Sequence, residues 1–437
     1  MIALSVVCAR WRPFFLPFET QLYLVSVLMT LWGLFVAVWA ITKRAEFDIK
    51  ALLIKSWPLL LFYALSFLIL IIATVRAHFS STILHMTFNY WFLYPAVLLA
   101  YYMGRIGDRF ARKGIPALML TISSIGFVLS VGQLLQDVGF ANPVGGLVVW
   151  IRQVNLPLST WVWNHVESIR LTGYSFDPNY FAFFALVGVV WALCGRDRML
   201  LRVIVLAESA FMLFFSASRG VFFSAFVVLI AWVIVYRRFF AQRLKACFST
   251  SKRRALSITV IVVLVVALFA GGTLLAARGS SLSLVGRITA SLTEIRSNGL
   301  TTKSIDMILN GRGALWEQGI RLIEEKPWGH WLVERELSKM SFHNDYLVTL
   351  ITGGPLFFAS LIMLLVWMWR QRMRPAFRGL PVLLTLTCAF TCFFYNIFQF
   401  GAVLPLVFFL LGTYCCVSPR KSARVKSGQN PPAIGET

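Results

Sequence analysis

The sequence predicts an all-α polytopic membrane protein, and its composition and hydropathy pattern carry that prediction. Hydrophobic residues make up 58% of the 437-residue chain, only 14% are charged, and the mean hydropathy is +0.75. Soluble domains are roughly half apolar and about a quarter charged. Apolar runs long enough to cross ~30 Å of hydrocarbon recur along the chain, and none alternates as a barrel strand would. The runs are therefore predicted to be helices, in which the backbone N–H and C=O groups are hydrogen-bonded to one another inside lipid.

The apolar runs indicate about 11–12 transmembrane helices. The short apolar pieces 2–9 and 13–18 would form a partial twelfth element, and 2–9 is too short for the core of a signal peptide. The last two runs are predicted to form a tight hairpin. The predicted spans are 22–41, 57–75, 83–103, 115–136, 180–194, 199–217, 220–236, 256–277, 346–369, 380–398 and 400–417.

The net charge of +23 is distributed unequally between the loops. Most lysines and arginines fall in the loops predicted to face inward. This positive-inside pattern places segments 137–179 and 278–345 outward and the C-terminal tail in the cytoplasm. No nucleic-acid-binding motif accompanies the positive charge, so nucleic acid is not expected as a partner. The short outward loops carry only Arg76, Arg152, Arg170 and Arg219.

Residues 1–417 are predicted to form a single polytopic membrane domain. The tail 418–437 is basic, then rich in proline and glycine, and is predicted to be disordered. The outward segment 278–345 contains "GRGALWEQGIRLIEEKP", which predicts an amphipathic helix that Pro327 ends. An outward segment with its own helix is typical of a functional loop or lid. The apolar residues of this helix recur at Leu315, Ile320 and Ile323.

Neither a disulfide framework nor a cofactor is predicted. Cys388 and Cys392 lie one helical turn apart but lack the further ligands of a zinc site, so the seven cysteines are interpreted as packing residues. The sequence contains no Asp-x-Asp, His-Glu-x-x-His, Gly-x-Ser-x-Gly or P-loop pattern. A nucleotide-linked donor and a metal are therefore not expected.

Four outward patches combine polar, cationic and glycine residues at the membrane boundary. Arginine forks match phosphate oxygens, and the glycines beside them, Gly220, Gly286 and Gly311, would let a bulky group approach the backbone. Together with one histidine, this set favours an anionic lipid head group that carries a leaving group, such as a lipid-linked diphosphate. The patches are 170–182, 216–220, 311–316 with Arg287 before it, and 343–345.

Each patch also has a structural interpretation. Residues 177–179 are a helix-start signal, and Arg219 alone could be an interface arginine. Arg287 and Arg312, taken singly, could be solvated loop charges. Asn344 or Asp345 could cap the following helix, a role that does not require His343.

The motifs "SRG" at 218–220, "GRGALW" at 311–316, Pro327 with Gly329, and "HNDYL" at 343–347 resemble the O-antigen ligase and polymerase superfamily. The stretch "RLTGYSFDPNYFA" at 170–182 is similar to that superfamily as well. The resemblance covers residues from about 165 to 412, and hydropathy matches outside it. One departure is the run Pro327-Trp328-Gly329-His330, where the family often has glycines on both sides of a small residue.

The resemblance implies a GT-C-like glycosyltransferase of the bacterial inner membrane, active on lipopolysaccharide precursors at the periplasmic face. The donor would be a glycan on undecaprenyl diphosphate. The acceptor would be a sugar hydroxyl, on lipid A–core for a ligase or on a growing glycan for a polymerase. His343 would be the general base. Arg219 and Arg312 would bind the diphosphate. Apart from the resemblance, Arg287 and Arg170 are second-rank candidates for the same pocket, and Asn344, Asp345 and Asn179 are predicted as supporting residues.

Two alternatives stay open from the sequence. An O-antigen or exopolysaccharide polymerase is not separated from a ligase, because acceptor choice depends on loop shape. A secondary transporter is the alternative from another class, since Glu208 lies within the predicted span 199–217. If Glu208 pairs with a neighbouring cation, it no longer favours a transporter.

Overall fold

A computed structural model of the chain describes about half of the residues. The predicted pieces 2–9 and 13–18, the span 256–277 and the tail 418–437 lie outside the described residues. Most of the span 22–41 does so as well. Side chains are described for 114–136 and 218–236 within two longer helices. The described segments are 53–76, 94–105, 108–137, 142–147, 178–195, 199–216, 218–249, 312–331, 342–371, 379–395, 397–400 and 403–414, with isolated positions between them.

Every regular element in these segments is a helix, which confirms the all-α prediction for the described part of the chain. In chain order the labelled helices are α1 Trp57–Arg76, α2 Asp108–Asp137, α3 Pro178–Cys194, α4 Met199–Phe215, α5 Arg219–Ser249, α6 Arg312–Glu325, α7 Asp345–Trp369, α8 Leu380–Cys392, α9 Ile397–Phe400 and α10 Leu404–Tyr414. Residues 94–105 and 143–147 are helical as well.

Among the described residues, four helices are long and apolar enough to cross a membrane. They are α1, the segment Gly114–Gln136 of α2, the segment Arg219–Tyr236 of α5, and α7. Shorter apolar helices are α3, α8 and α10. These positions agree with the predicted spans 57–75, 115–136, 220–236 and 346–369, as expected for an α-helical membrane protein.

Helix α7 packs against both α6 and the apolar helices. It packs against α1, α8 and α6, while α8 also packs against α5 and α3, and α4 packs against α3 and α2. Aromatic rings fill the centre of this arrangement. The ring of Phe62 on α1 stacks on Phe357 of α7 at 5.2 Å and meets Phe398 of α9 edge-on at 5.6 Å.

Helix α7 is kinked where residues 328–331, here called the strap, pack against it. Gly354 has φ 66° and ψ −161°, and Pro355 follows it. Proline lacks an N–H, so the Ile351 carbonyl loses its helical partner. The His330 N–H donates to Ile351 O at 2.8 Å, and the Trp331 N–H donates to Thr352 O at 2.7 Å. The strap thereby supplies the hydrogen bonds that the kink removes.

The helix predicted within "GRGALWEQGIRLIEEKP" is confirmed as α6, but part of its predicted buried face is wrong. Ile320 is 50% exposed, whereas Gly319 is buried so closely against Leu347 of α7 that a Cβ there would overlap that side chain. Leu315 and Leu322 pack into the same small cluster. Positions 315, 319 and 322 follow the helical period, and residue 320 lies ~100° away from that stripe.

The predicted tight hairpin at the C-terminal end is also wrong. Helix α8 ends at Cys392, within the predicted span 380–398, and the short helix α9 intervenes before α10. The N–H groups of Phe394 and Tyr395 both donate to Thr391 O at 2.9 Å, which forms a turn. Among the described cysteines, Cys194, Cys388 and Cys392 are free and buried, as predicted for packing residues.

Candidate functional site

Tyr395 connects the starts of three helices. Its hydroxyl donates to Asn179 Oδ1 in the first turn of α3 at 2.7 Å. Because the phenolic proton is used there, Ser218, the residue before α5, donates to the Tyr395 oxygen at 3.1 Å. The guanidinium of Arg312, the first residue of α6, lies over the ring with its Cζ 4.9 Å from the centroid. Three predicted outward patches therefore meet at one side chain.

Arg219 is the first residue of α5 and directly follows Ser218. The next residue, Gly220, lies so close to the Phe394 ring that a Cβ would overlap it. The sequence predicts that Gly220 admits a bulky ligand group, and this is wrong, because Phe394 fills the space. The small residue instead brings the start of α5 against the turn that carries Tyr395. Gly286 and Gly311 lie outside the described residues.

The two arginines lie at helix ends that disfavour cations. A helix N-terminus carries roughly half a positive charge, and a cation there costs about 0.3–1 kcal/mol at the surface. The first turns of α5 and α6 contain no acidic residue to offset this, whereas Asp177 directly precedes α3 in the sequence. Arg219 and Arg312 therefore add positive charge where three N-termini converge, and a bound anion would relieve the repulsion.

The two polar neighbours of His343 have structural roles. Asn344 is the N-cap of α7, with φ −153°, and its Oδ1 accepts from the Leu347 N–H at 3.1 Å. Asp345 is fully buried, and its Oδ2 accepts from the Phe398 N–H at 2.9 Å. Asn344 thus starts α7, and Asp345 fixes the start of α9. Capping of α7 does not use His343.

His343 has φ 49°, in the left-handed region that few residues other than glycine adopt. Histidine is among the side chains tolerated there, at a cost of roughly 1 kcal/mol or more. The carbonyl of the preceding residue, Phe342, accepts a hydrogen bond from Trp316 Nε1 at 3.2 Å. Trp316 lies one turn after Arg312, so one face of α6 contacts both Tyr395 and the segment that carries His343.

His330, the second histidine of segment 278–345, belongs to the strap. It is 6% exposed, and its Nε2 lies 2.9 Å from the Leu322 carbonyl, so this nitrogen carries the proton. Its own carbonyl accepts from Arg76 at 3.1 Å, and its N–H bonds to α7. These contacts give His330 a role in packing and favour His343 as the candidate base.

Arg287 and Arg170 lie outside the described residues, so their contact with a diphosphate stays a prediction. Sequence reasoning misses Tyr395, because this residue lies inside the predicted span 380–398. The available signal was the pair Tyr395-Asn396, which interrupts an otherwise apolar run. Its partner Asn179 is 216 positions away in the sequence, so no local pattern could reveal the contact.

Glu208 of α4 is bound by hydroxyl groups of α2. Ser123 Oγ donates to Glu208 Oε2 at 2.6 Å, and Ser124 Oγ donates to Oε1 at 2.9 Å. Among the described residues, two serine hydroxyls therefore bind the Glu208 carboxylate, in place of the cation that the sequence suggests. Hydrogen bonds of this kind join helices in membranes, so Glu208 has a structural explanation.

No protein-family model matches this chain, and no curated protein matches it. Within the described segments, no group of histidine, cysteine, aspartate or glutamate side chains could hold a metal ion.

Proposed function

We propose that the protein is a GT-C-like membrane glycosyltransferase that moves a glycan from undecaprenyl diphosphate to a sugar hydroxyl. The proposed reaction is O-antigen ligase-type transfer to lipid A–core, at the periplasmic face of the inner membrane. The observation that carries the proposal is the meeting of the Arg312 side chain and the start of the Arg219 helix at Tyr395. The motif resemblance to the O-antigen ligase and polymerase superfamily supports it.

The arginines suit the leaving group of this reaction. A guanidinium presents paired N–H donors that match two phosphate oxygens, and helix N-termini favour the same anions. As the donor bond breaks, negative charge grows on the diphosphate. Cations already held beside that charge stabilise it in the transition state without having to move. In other transferases a metal ion has this role. Transfer is therefore proposed to be metal-independent.

His343 suits the acceptor side of the reaction. A sugar hydroxyl is a weak nucleophile, and a neutral imidazole with an ordinary pKa of ~6.5 can accept its proton at pH 7. The acceptor oxygen attacks the anomeric carbon of the donor sugar as His343 takes the proton. The bond from that carbon to the phosphate oxygen breaks, and its electron pair leaves with the lipid diphosphate. Atoms and charge balance without a further reactant.

The position of His343 along the chain matches the height of the donor. The apolar helix α7 begins at Asp345, two residues after His343. In a lipid-linked diphosphate, the reactive carbon lies one diphosphate above the hydrocarbon tail. A base at the membrane surface therefore reaches the reactive carbon while the tail stays in lipid.

The sidedness of the proposal gives a topology prediction. Cysteines placed at Ser297 and Ser159, in a background without native cysteines, should react with an impermeant thiol reagent in intact cells. Ser251→Cys, in a predicted inward loop, is the control and should react only after lysis. The prediction follows from the unequal distribution of lysine and arginine. Labelling of Ser297→Cys and Ser159→Cys only after lysis would reverse the assigned orientation.

Arg219→Lys and Arg312→Lys should each lower the transfer rate about 10–100-fold. Lysine keeps the charge but loses the paired donors, and a hydrogen bond to a charged group contributes ~1.5–3 kcal/mol. Arg321→Lys is the matched control on α6, because Arg321 is exposed and pairs at 2.6 Å with Glu317 on the surface. Transfer from a lipid-linked donor by purified protein is the measurement. Equal effects of all three changes would argue against a diphosphate site.

The glycolipid profile of a strain that lacks the protein would separate ligase from polymerase. Loss of polymer from lipid A with accumulation of long lipid-linked chains indicates a ligase. Single repeat units on the acceptor indicate a polymerase. Either profile retains the lipid-diphosphate donor that the arginines are proposed to bind.

A further inference from the structure

We infer that Tyr395 is a positioning residue that holds the Arg312 guanidinium in place for the donor diphosphate. The identity of the anion rests on the proposed function, whereas the contact itself does not. The Arg312 Cζ lies 4.9 Å from the centre of the Tyr395 ring, within the ~6 Å over which a ring face attracts a cation.

An aromatic partner leaves Arg312 able to bind an anion. A carboxylate would accept two of the guanidinium N–H groups and neutralise the charge. A ring face attracts the cation through its quadrupole and accepts none of those donors in a strong hydrogen bond. Among the described residues, the ring of Tyr395 contacts this guanidinium. Arg312 is thereby held in position with its charge uncompensated by the ring.

The ring itself is fixed by its neighbours. Tyr395 is 5% exposed, and its hydroxyl is bound by Asn179 of α3 and by Ser218 directly before α5. Its backbone N–H donates to Thr391 O at 2.9 Å. Three residues later, the Phe398 N–H is bound by the buried carboxylate of Asp345. The orientation of the ring is thus set by α3, α5, α7 and α8 together.

The same contacts relate the two candidate arginines to each other. Ser218, which donates to Tyr395, is covalently adjacent to Arg219, while Arg312 lies over the ring. Helix α6 belongs to the outward segment, and α5 belongs to the membrane bundle. Tyr395 therefore sets the position of an arginine from the outward segment relative to an arginine from the bundle. Asn179, predicted as a supporting residue, acts in this interpretation by fixing the phenol.

A double-mutant cycle tests the inference on the full-length protein. Binding of undecaprenyl diphosphate in detergent is measured for Tyr395→Phe and Tyr395→Leu, each with and without Arg312→Ala. Phenylalanine keeps the ring, so binding should stay within about threefold of wild type. Leucine removes the ring, so binding should weaken about tenfold. In the Arg312→Ala background, Tyr395→Leu should weaken binding no further.

Independent, multiplying effects of Tyr395→Leu and Arg312→Ala would overturn the inference. An equal loss in Tyr395→Phe and Tyr395→Leu, at unchanged melting temperature, would also overturn it, because the hydroxyl and not the ring would then matter. The proposed function fails in a different way: the wild type does not bind the lipid diphosphate, or Arg312→Ala binds it as well as wild type does.

A second measurement needs no ligand. The ¹⁵N relaxation of the Arg312 Nε–H group, identified by its loss in Arg312→Lys, should show an ordered side chain in the wild type and in Tyr395→Phe. It should show a mobile side chain in Tyr395→Leu. An ordered Arg312 in the leucine variant would overturn the inference. If that variant does not fold, a mobile Arg312 in Tyr395→Phe would overturn it instead.

Discussion

His343→Ala is expected to slow glycan transfer about 10²–10⁴-fold, the usual size of a general-base contribution, while the melting temperature stays near that of wild type. The chemical reason is the loss of the group that takes the acceptor proton. Activity can fall without a loss of stability because Asn344, and not His343, caps α7. Transfer from a lipid-linked donor by purified protein, together with thermal unfolding in detergent, measures both quantities.

His343→Asn is the sharper variant, because the backbone at residue 343 is left-handed, with φ 49°. Asparagine adopts that conformation more readily than alanine does, so it removes the imidazole with less strain. Asn344→Ala is the matched control and should cost ~1 kcal/mol of stability with little loss of transfer. A His343→Asn protein with full activity would contradict the assignment of the base.

His330→Ala should behave in the opposite way to His343→Ala. His330 is buried and bound to Leu322 and α7, so its loss should lower stability more than it lowers the transfer rate of the folded protein. Full activity in His343→Ala with none in folded His330→Ala would move the base to His330. Full activity in both would leave the proton to water or to Asp345.

Gly354→Ala is expected to destabilise the protein by about 3 kcal/mol or more, or to prevent folding. Gly354 has φ 66° and ψ −161°, a conformation that essentially only glycine adopts, at a cost of ~1–3 kcal/mol for other residues. A Cβ would also overlap the Trp328 carbonyl of the strap. The change would therefore separate the strap from the kink and release the hydrogen bonds at Ile351 and Thr352.

Gly114→Ala is the matched control for this prediction. A Cβ at Gly114 in α2 would meet nothing within 4 Å, so alanine should leave stability unchanged or raise it by up to ~1 kcal/mol. Thermal unfolding in detergent compares the two variants. Equal melting temperatures for Gly354→Ala and Gly114→Ala would show that the strap does not constrain α7.

Hydropathy alone located the long helices well. The predicted spans 57–75 and 346–369 agree with α1 and α7 to within a residue at each end. A run of about twenty consecutive apolar residues is a local property of the sequence, so it can be identified without knowledge of distant contacts. The helix start at Arg312 was predictable for the same reason, since glycine and proline bound the pattern.

The parts of the site that depend on distant contacts were not predictable. The Tyr395 hydroxyl is hydrogen-bonded to Asn179 and Ser218, which are far from it in sequence. The kink at Gly354 could be suspected from the following proline, but its use as the attachment point of the strap could not. The role of Gly220 was not predictable either, because a residue without a side chain leaves room for either a ligand or a packed aromatic ring. Only the position of Phe394 decides between them.

Glycan transfer by the purified protein in liposomes tests the central claim most directly. The donor is a glycan on undecaprenyl diphosphate, the acceptor is lipid A–core, and the product is detected by mass spectrometry with a metal chelator present. The account predicts that wild type forms the glycosylated acceptor and releases the lipid diphosphate. It predicts that His343→Asn forms the glycosylated acceptor at least about 10²-fold more slowly. Absence of product with the wild type, or equal product with both proteins, would contradict it.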